Sequence, residues 1–401
     1  MDLPMSAQPE SASVDVLIVT ALREEYQAVK EVTTGALGNW TETRAPSTGL
    51  RVEQRVFCSA DGNALSVALI CAELMGTAMT VGVAGPVLTA LKPRCVAMCG
   101  VLAGKPKDTE FGDVVLADQL VMHGTGKRTD KGFEHDTRPH KLDIRWLEKA
   151  RDFAKNPGDA LAWLQGPAWT VERQRAWLLD QFSRGFKPLA HKALLEECCP
   201  SYRTIVTELR QKGLVKPDPE DPLTDEGKKL IQEERFMDPK WPGLDPPRRS
   251  VSIHVGPMAA GNAVQADPEI WKELSLFARK TLGVEMESYG VGTVAELHQV
   301  ELWFVMKGVM DHADQYKDDR FKPFAARASA ECLLAFLRAY LPPPPSADLS
   351  RLLDPGTSPP PTRDNPAALL HARHHIVPFY EPGRARRFSR TWQRGAVTRD
   401  R

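Results

Sequence analysis

Three acidic stretches and two glycine-bearing turns are where this chain could do chemistry. The densest is "VEMESYGVGTVAE", Val284 to Glu296, in which Glu285 and Glu287 flank Met286 inside an otherwise small and apolar run. Burying an unpaired carboxylate costs several kcal/mol, on the order of what a small domain has to spare, so acids in such a setting have partners or a task. In "KGVMDHADQYKDD", Asp311 comes straight after the apolar "ELWFVMKGVM". An Asp there is either a helix cap or a general acid whose pKa a partly apolar site raises. In "TALREEYQAV", Glu24 and Glu25 follow directly on a buried strand, where the helix macrodipole favours an acid by roughly 0.3–1 kcal/mol. Taken alone, that pair reads as a charged first turn.

The glycine-bearing turns are of one kind. "CGVLAGKPKDTEFGDVV" places Gly100, Val101, Ala103 and Gly104 at the carboxyl end of a strand, and "HVGPMAAGNAVQAD" does the same with Gly261 to Val264. Small residues there let a ligand approach backbone amides, and ligands of open α/β sheets bind at strand carboxyl ends. A plain tight turn fits each equally well.

The elements that must position these residues alternate. "VDVLIVT", "LSVALICAEL", "PRCVAMCG", "FGDVVLADQLVMH", "VSIHVG" and "ELWFVMKGVMD" are apolar, β-branched runs expected as buried strands. Between and after them, "GTAMTVGVAGPVLTALK" and "FAARASAECLLAFLRAYL" suit helices packed on a sheet, so the class is α/β.

Composition narrows the partners. The 401 residues include 52 Lys plus Arg and 52 Asp plus Glu, so no global field holds nucleic acid or an anionic membrane. The seven cysteines form no CxxC pair and no spaced Cys/His set, and the histidines no HxH or HxxxH pair, so neither a metal nor any other cofactor is expected. Buried, reduced thiols fit a reducing compartment, and with no signal peptide and no apolar run of spanning length the expectation is a cytoplasmic protein outside the membrane. "HGTGKRT" is a decoy for a phosphate loop, because Val121 stands where the first glycine belongs.

Four segments are expected: a first catalytic part at 14–141, an insertion at 142–247, a second catalytic part at 248–341, and a Pro-rich linker with a basic tail at 342–401. The insertion reads as helices with Pro-rich turns, and "SYRTIVTELRQKGLVKPDPEDPLTDEGKKLIQEE" has the order of a winged helix. Its acids nearly match its bases, which argues against nucleic-acid contact.

Order supplies what single motifs do not. Strand then "ALREE", strand then "CGVLAG", "FGDVV", "GPMAAGNAV", "VEMES" and "KGVMDHAD" resembles the nucleoside phosphorylase superfamily, in particular the methylthioadenosine/S-adenosylhomocysteine (MTA/SAH) nucleosidases and the related effector domains of signalling proteins. The resemblance covers roughly residues 14–140 and 251–341. It implies a three-layer fold with a central mixed twisted sheet, here carrying the insertion.

It also implies roles. Met286 would pack under a ribose and Glu287 accept hydrogen bonds from its hydroxyls, with Glu285 supporting that clamp or facing a neighbouring subunit. Asp311 would protonate or hydrogen-bond purine N7, Glu25 would activate water, and the "CGVLAG" turn with Val264 would line the base. The implied reaction is hydrolysis of a purine nucleoside or nucleotide N-glycosidic bond, by a homo-oligomer. Phosphorylases of this superfamily carry G-D-P-x-R after the first strand, where this chain has "TALREEY", whose acids would repel phosphate. Arg23 and Lys307 are the local cations that could reach a 5′-phosphate, against a solvated surface position as the default.

Two departures stand out. Met310 occupies the place of a Ser or Thr that would orient Asp311, and "CGVLAG" replaces a T/V-G-x-A-G-G pattern. A purine-sensing module without catalysis, and a phosphate-dependent phosphorylase, are the competing readings. In the tail, "LLHARHHIVPFYEPGR" resembles the segment that joins effector domains to NTPase modules in bacterial and fungal signalling proteins, which implies an NTPase partner and a role in defence or signalling.

Overall fold

The computed structural model describes residues 14–341, apart from 46–47, 131, 137, 165–168, 186, 191, 219–220, 238–249 and 315–320. The linker and tail expected at 342–401, including the stretch that resembles an NTPase-linking segment, therefore lie outside the described residues.

"VLIVT" is β1 (Val16–Thr20), buried throughout, and the charged run after it is α1 (Arg23–Lys30). An antiparallel hairpin follows, β2 (Ala36–Arg44) with β3 (Arg51–Cys58), and then β4 (Ala64–Cys71). Next come α2 (Thr77–Leu91), β5 (Cys95–Gly104) and β6 (Val114–Met122). A second hairpin, β7 (Gly126–Thr129) with β8 (Gly132–His135), contains most of the phosphate-loop decoy, and the short β9 (His140–Lys141) returns to β6.

Five helices occupy most of the stretch expected as an insertion: α3 (Ile144–Lys155), α4 (Val171–Ser183), α5 (Lys192–Cys198), α6 (Tyr202–Gln211) and α7 (Asp225–Met237). Among the described residues a bridge, Val215 to Leu223, lies between α6 and α7. That order is the one expected of a winged helix, and no wing is shown among the described residues. The first of these helices joins the sheet's own layer: Trp146 meets Phe304 edge-on at 4.9 Å and Phe153 meets Phe336 at 5.4 Å.

The chain then runs through β10 (Ile253–Ala260), α8 (Ile270–Phe277), β11 (Gly283–Glu285), α9 (Ser288–Leu297), β12 (Leu302–Asp311) and α10 (Lys322–Tyr340). The central sheet is mixed, in the order β11-β10-β6-β12-β5-β1-β4-β3-β2, with β9 on β6. Because β11 also pairs antiparallel with β5, the part from β11 to β5 closes on itself. A mixed α/β fold with a central mixed sheet is what the sequence led us to expect.

Both faces of the sheet are covered, which is why β1 is apolar without alternation. Val16 and Ile18 pack with Val29, Phe304 and Phe336 on the side of α1, α3 and α10. Leu17 and Val19 pack with Ala84, Val87, Val291 and Val294 on the side of α2 and α9. The carboxyl ends of β1, β5 and β12 meet between the layers, since these three run parallel.

Close approach sets the spacing of one layer. A Cβ on Gly308 in β12 would strike the backbone of Ala325 in α10, so the helix lies directly on the strand. Forcing extra atoms into a packed interior costs typically 1–3 kcal/mol. Gly308→Ala should therefore lower the unfolding free energy by about 1–3 kcal/mol, read as a lower denaturant midpoint at unchanged slope; an unchanged midpoint would refute this packing.

Candidate active site

The carboxyl ends of the parallel strands open into a cavity of about 280 Å³. Its lining joins segments far apart in sequence: Ala21, Leu22 and Glu25; Met75; Val101 to Ala103; Ala263 to Gln265; Val284 to Glu287; Met310 and Asp311; and Lys322. Among them are Glu25, Val101, Ala103, Val264, Glu285, Met286, Glu287 and Asp311, all named from the sequence. Gly100 and Gly104, also named, are not in the lining.

Glu25 is buried in the first turn of α1, and both its oxygens are held by backbone donors. The Ala21 and Leu22 amides donate to Oε2 at 2.9 and 3.1 Å, and the Val101 amide donates to Oε1 at 2.9 Å. The carboxylate is thus fixed across the ends of β1 and β5. Gly100 explains how it fits: a Cβ there would collide with the Glu25 carboxyl, while the Gly100 amide donates to Ser329 Oγ in α10 at 3.1 Å. The task of Gly100 in this arrangement is to make room for Glu25. Gly104 faces Thr109 and Val309 instead, and its carbonyl is 2.7 Å from His312 Nδ1.

Glu285 ends β11 and caps α9. Its carboxyl accepts from the Glu287 and Ser288 amides at 2.9–3.1 Å and from Ser288 Oγ at 2.6 Å. Those contacts point it inward, toward its own helix. Met286 is half-buried, with its carbonyl accepting from Thr77 Oγ1 at 3.0 Å. Glu287 is buried, and its Oε1 accepts from the Gly76 amide at 3.0 Å. Gly76 precedes α2 with φ of +112°, in the left-handed region that favours glycine.

Asp311 is the last residue of β12 and is buried; its Oδ1 accepts from the Ala313 amide at 2.9 Å. The β12–β5 register slips between Val309 and Asp311, leaving Met310 as the bulged residue. A bulge breaks the alternation of a strand and re-aims its side chains. Met310 and Asp311 can therefore be neighbours in sequence and both face the cavity.

Lys307 corrects the sequence reading most clearly. Expected by default on a solvated surface, its side chain is fully buried behind the cavity, with Nζ 3.4 Å from Glu285 Oε2 and 3.6 Å from Glu287 Oε2. Among the described residues Nζ has no hydrogen-bond partner, so these are ion pairs at long range. Burial pushes the ammonium down, but the carboxylates of Glu25, Glu285 and Glu287 outweigh it and hold Lys307 above the usual lysine range. Burial pushes the Glu285 carboxyl up, against the Lys307 charge. Arg23 is exposed and pairs with Glu73 at 2.9 Å beside a separate cavity of about 580 Å³.

Two further residues, not singled out from the sequence, support the site. His312 is buried against Phe111, ring centroids 4.6 Å apart, and its carbonyl accepts from Trp271 Nε1 at 3.1 Å. Asp113 of "FGDVV" serves the scaffold: its carboxyl accepts from the Glu110 and Ser252 amides at 2.9 and 3.1 Å and lies 2.9 Å from His254 Nε2.

No family model matches the chain. An uncharacterized protein of Sinorhizobium fredii is 24% identical over 332 residues, 81% of this chain and 61% of its own length. A Death domain-containing ATP nucleosidase of Amphimedon queenslandica is 40% identical over 93 residues, 22% of this chain and 17% of its own. The chain thus spans less than two thirds of either curated relative. Among solved structures, the Streptococcus pneumoniae MTA/SAH nucleosidase in complex with 8-aminoadenine covers 81% of this chain with all of its own, at 15% identity and a TM-score of 0.49.

Removing one partner of a buried ion pair costs about 3–5 kcal/mol, because the other charge stays buried. Lys307→Met should lower the unfolding free energy by about that amount, while Arg23→Met changes it by less than about 1 kcal/mol. Equal effects in denaturant titrations would contradict the placement of Lys307. Other solved structures similar to this chain are likewise MTA/SAH nucleosidases, among them those of S. pneumoniae with a transition-state inhibitor and of Neisseria meningitidis with methylthio-immucillin-A, at 15% and 14% identity and TM-scores of 0.47.

Proposed function

We propose that the chain hydrolyses the N-glycosidic bond of a purine nucleoside or nucleotide, with water as nucleophile and no cofactor. The observation that carries this reading is the convergence of Glu25, Met286, Glu287 and Asp311 on one cavity from three separate places, the start of α1, the β11–α9 turn and the end of β12. The local match to a Death domain-containing ATP nucleosidase supports it.

Cleavage sends the C1′–N9 bonding electrons into the purine and leaves an oxocarbenium-like sugar, so a donor is needed at the base and an acceptor at the opposite face of C1′. Asp311, on its bulge, donates to N7. Met286 packs under the ribose, and Glu287, with Oε1 held by Gly76, accepts from the ribose hydroxyls. Glu25, with both oxygens fixed by backbone amides, takes a proton from the water that adds to C1′. Lys307 acts through Glu285 and Glu287, holding their carboxylates in place. Val101, Ala103 and Val264 pack along the base. Phosphate is disfavoured as nucleophile, because the acceptor side of the cavity is lined by Glu25 and Glu287.

The same reading carries a cytoplasmic effector role in bacterial defence or signalling, as a homo-oligomer with an NTPase partner. Its support is the order of the motifs and the resemblance of the tail.

The direct assay is chromatography of the full chain incubated with adenosine, inosine, methylthioadenosine, AMP and ATP, each with and without phosphate. Free base should form without phosphate. Asp311→Asn and Glu25→Gln should each slow its release by about a hundredfold or more while the fold survives. Release that depends on phosphate, or that both variants leave intact, would overturn the assignment.

A further inference from the structure

The purine reading leaves one wall of the cavity without a task. Asp311, Ala103 and Val264 take the base side, Met286 and Glu287 the hydroxyl edge of the sugar, and Glu25 the far face of C1′; Ala21, Leu22, Met75 and Lys322 are further residues of the lining. These lie at the starts of α1, α2 and α10. The 5′ carbon hangs from C4′, across the ring oxygen from the carbon that bears the base. With base and hydroxyls assigned, whatever it carries must face this wall.

Among the described residues that line the cavity, Lys322 is the cation, beside four acids, Glu25, Glu285, Glu287 and Asp311. Its side chain is 22% exposed and pairs with Glu24 Oε1 only at 3.7 Å, and Glu24 is itself 59% exposed. Neither cation named from the sequence can take its place. Lys307 is shut behind Glu285 and Glu287, and Arg23 is drawn aside by Glu73. A thioether or a hydroxyl at C5′ would leave the Lys322 charge as it is, whereas a phosphate brings two formal charges to a partner held by a long, exposed pair.

We propose that the ligand of this cavity is a purine 5′-nucleotide, with Lys322 exchanging Glu24 for the 5′-phosphate. This rests on the purine reading above and sharpens it from nucleoside to nucleotide. Leu22 and Met75 then border the 5′ carbon, and phosphates beyond the first extend past Lys322 into solvent.

Equilibrium dialysis of AMP and adenosine against the full chain carrying Asp311→Asn, which keeps the ligands intact, tests it. AMP should bind more tightly than adenosine by about tenfold or more, the scale of one charge-assisted hydrogen bond. Adding Lys322→Ala should abolish that preference and leave adenosine unchanged, while adding Glu24→Gln should strengthen AMP alone. Equal binding of the two ligands, or a preference that survives Lys322→Ala, overturns the proposal while leaving nucleoside hydrolysis standing. Binding of neither overturns it together with the purine reading.

Discussion

An ammonium buried among three carboxylates is the constraint around which this site is built. Each ion taken out of water carries a penalty of several kcal/mol, which attraction offsets only when partners are close and the remaining lone pairs are satisfied. Lys307 has no solvent exposure and, among the described residues, no hydrogen-bond partner, so Glu285 and Glu287 must stay near it. That requirement ties the β11–α9 junction to the middle of β12. Backbone amides supply the other half of the arrangement, from α9 to Glu285, from Gly76 to Glu287 and from three residues to Glu25.

The topology makes the constraint achievable. Parallel pairing brings the ends of β1, β5 and β12 to one edge, and the contact of β11 with β5 draws the Glu285–Glu287 turn to the same edge. Glycines then remove what would stand between the parts: Gly100 clears space for Glu25, and Gly308 lets α10 lie on β12. The bulge at Met310 turns two consecutive side chains into one cavity. It also offers a physical account of how Asp311 is oriented with Met310 in place of a hydroxyl residue, because the Ala313 amide fixes Oδ1 instead.

Much of this was legible in the sequence, for a physical reason. Strands buried on both faces are continuous apolar runs, so Asp311 at the end of such a run and Glu285 and Glu287 inside a small, apolar run are conspicuous, whereas Glu25 by itself reads as a charged first turn. The roles proposed for them came from motif order rather than from any single residue. The hairpin of β2 and β3 gave no such signal, since "ALGNWTETR" has no buried residue and lies at the sheet edge. Lys307 was misplaced because a lysine in an apolar run carries no mark of the acids that fold will bring to it from residues 25, 285 and 287. Lys322 was missed because it is one of several charges in "QYKDDRFK", and sequence alone does not tell which of them lines the cavity. The helix α3 reads as part of an insertion by composition, yet Trp146 and Phe153 seat it on the sheet.

The most direct test of water as the nucleophile in this cavity is the fate of its oxygen. The full chain would be incubated with AMP and with adenosine in water enriched in oxygen-18, free of phosphate, and the sugar product weighed by mass spectrometry. One labelled oxygen on the sugar, alongside free adenine, is the predicted result. An unlabelled sugar, or no sugar at all from a folded protein, would contradict the account.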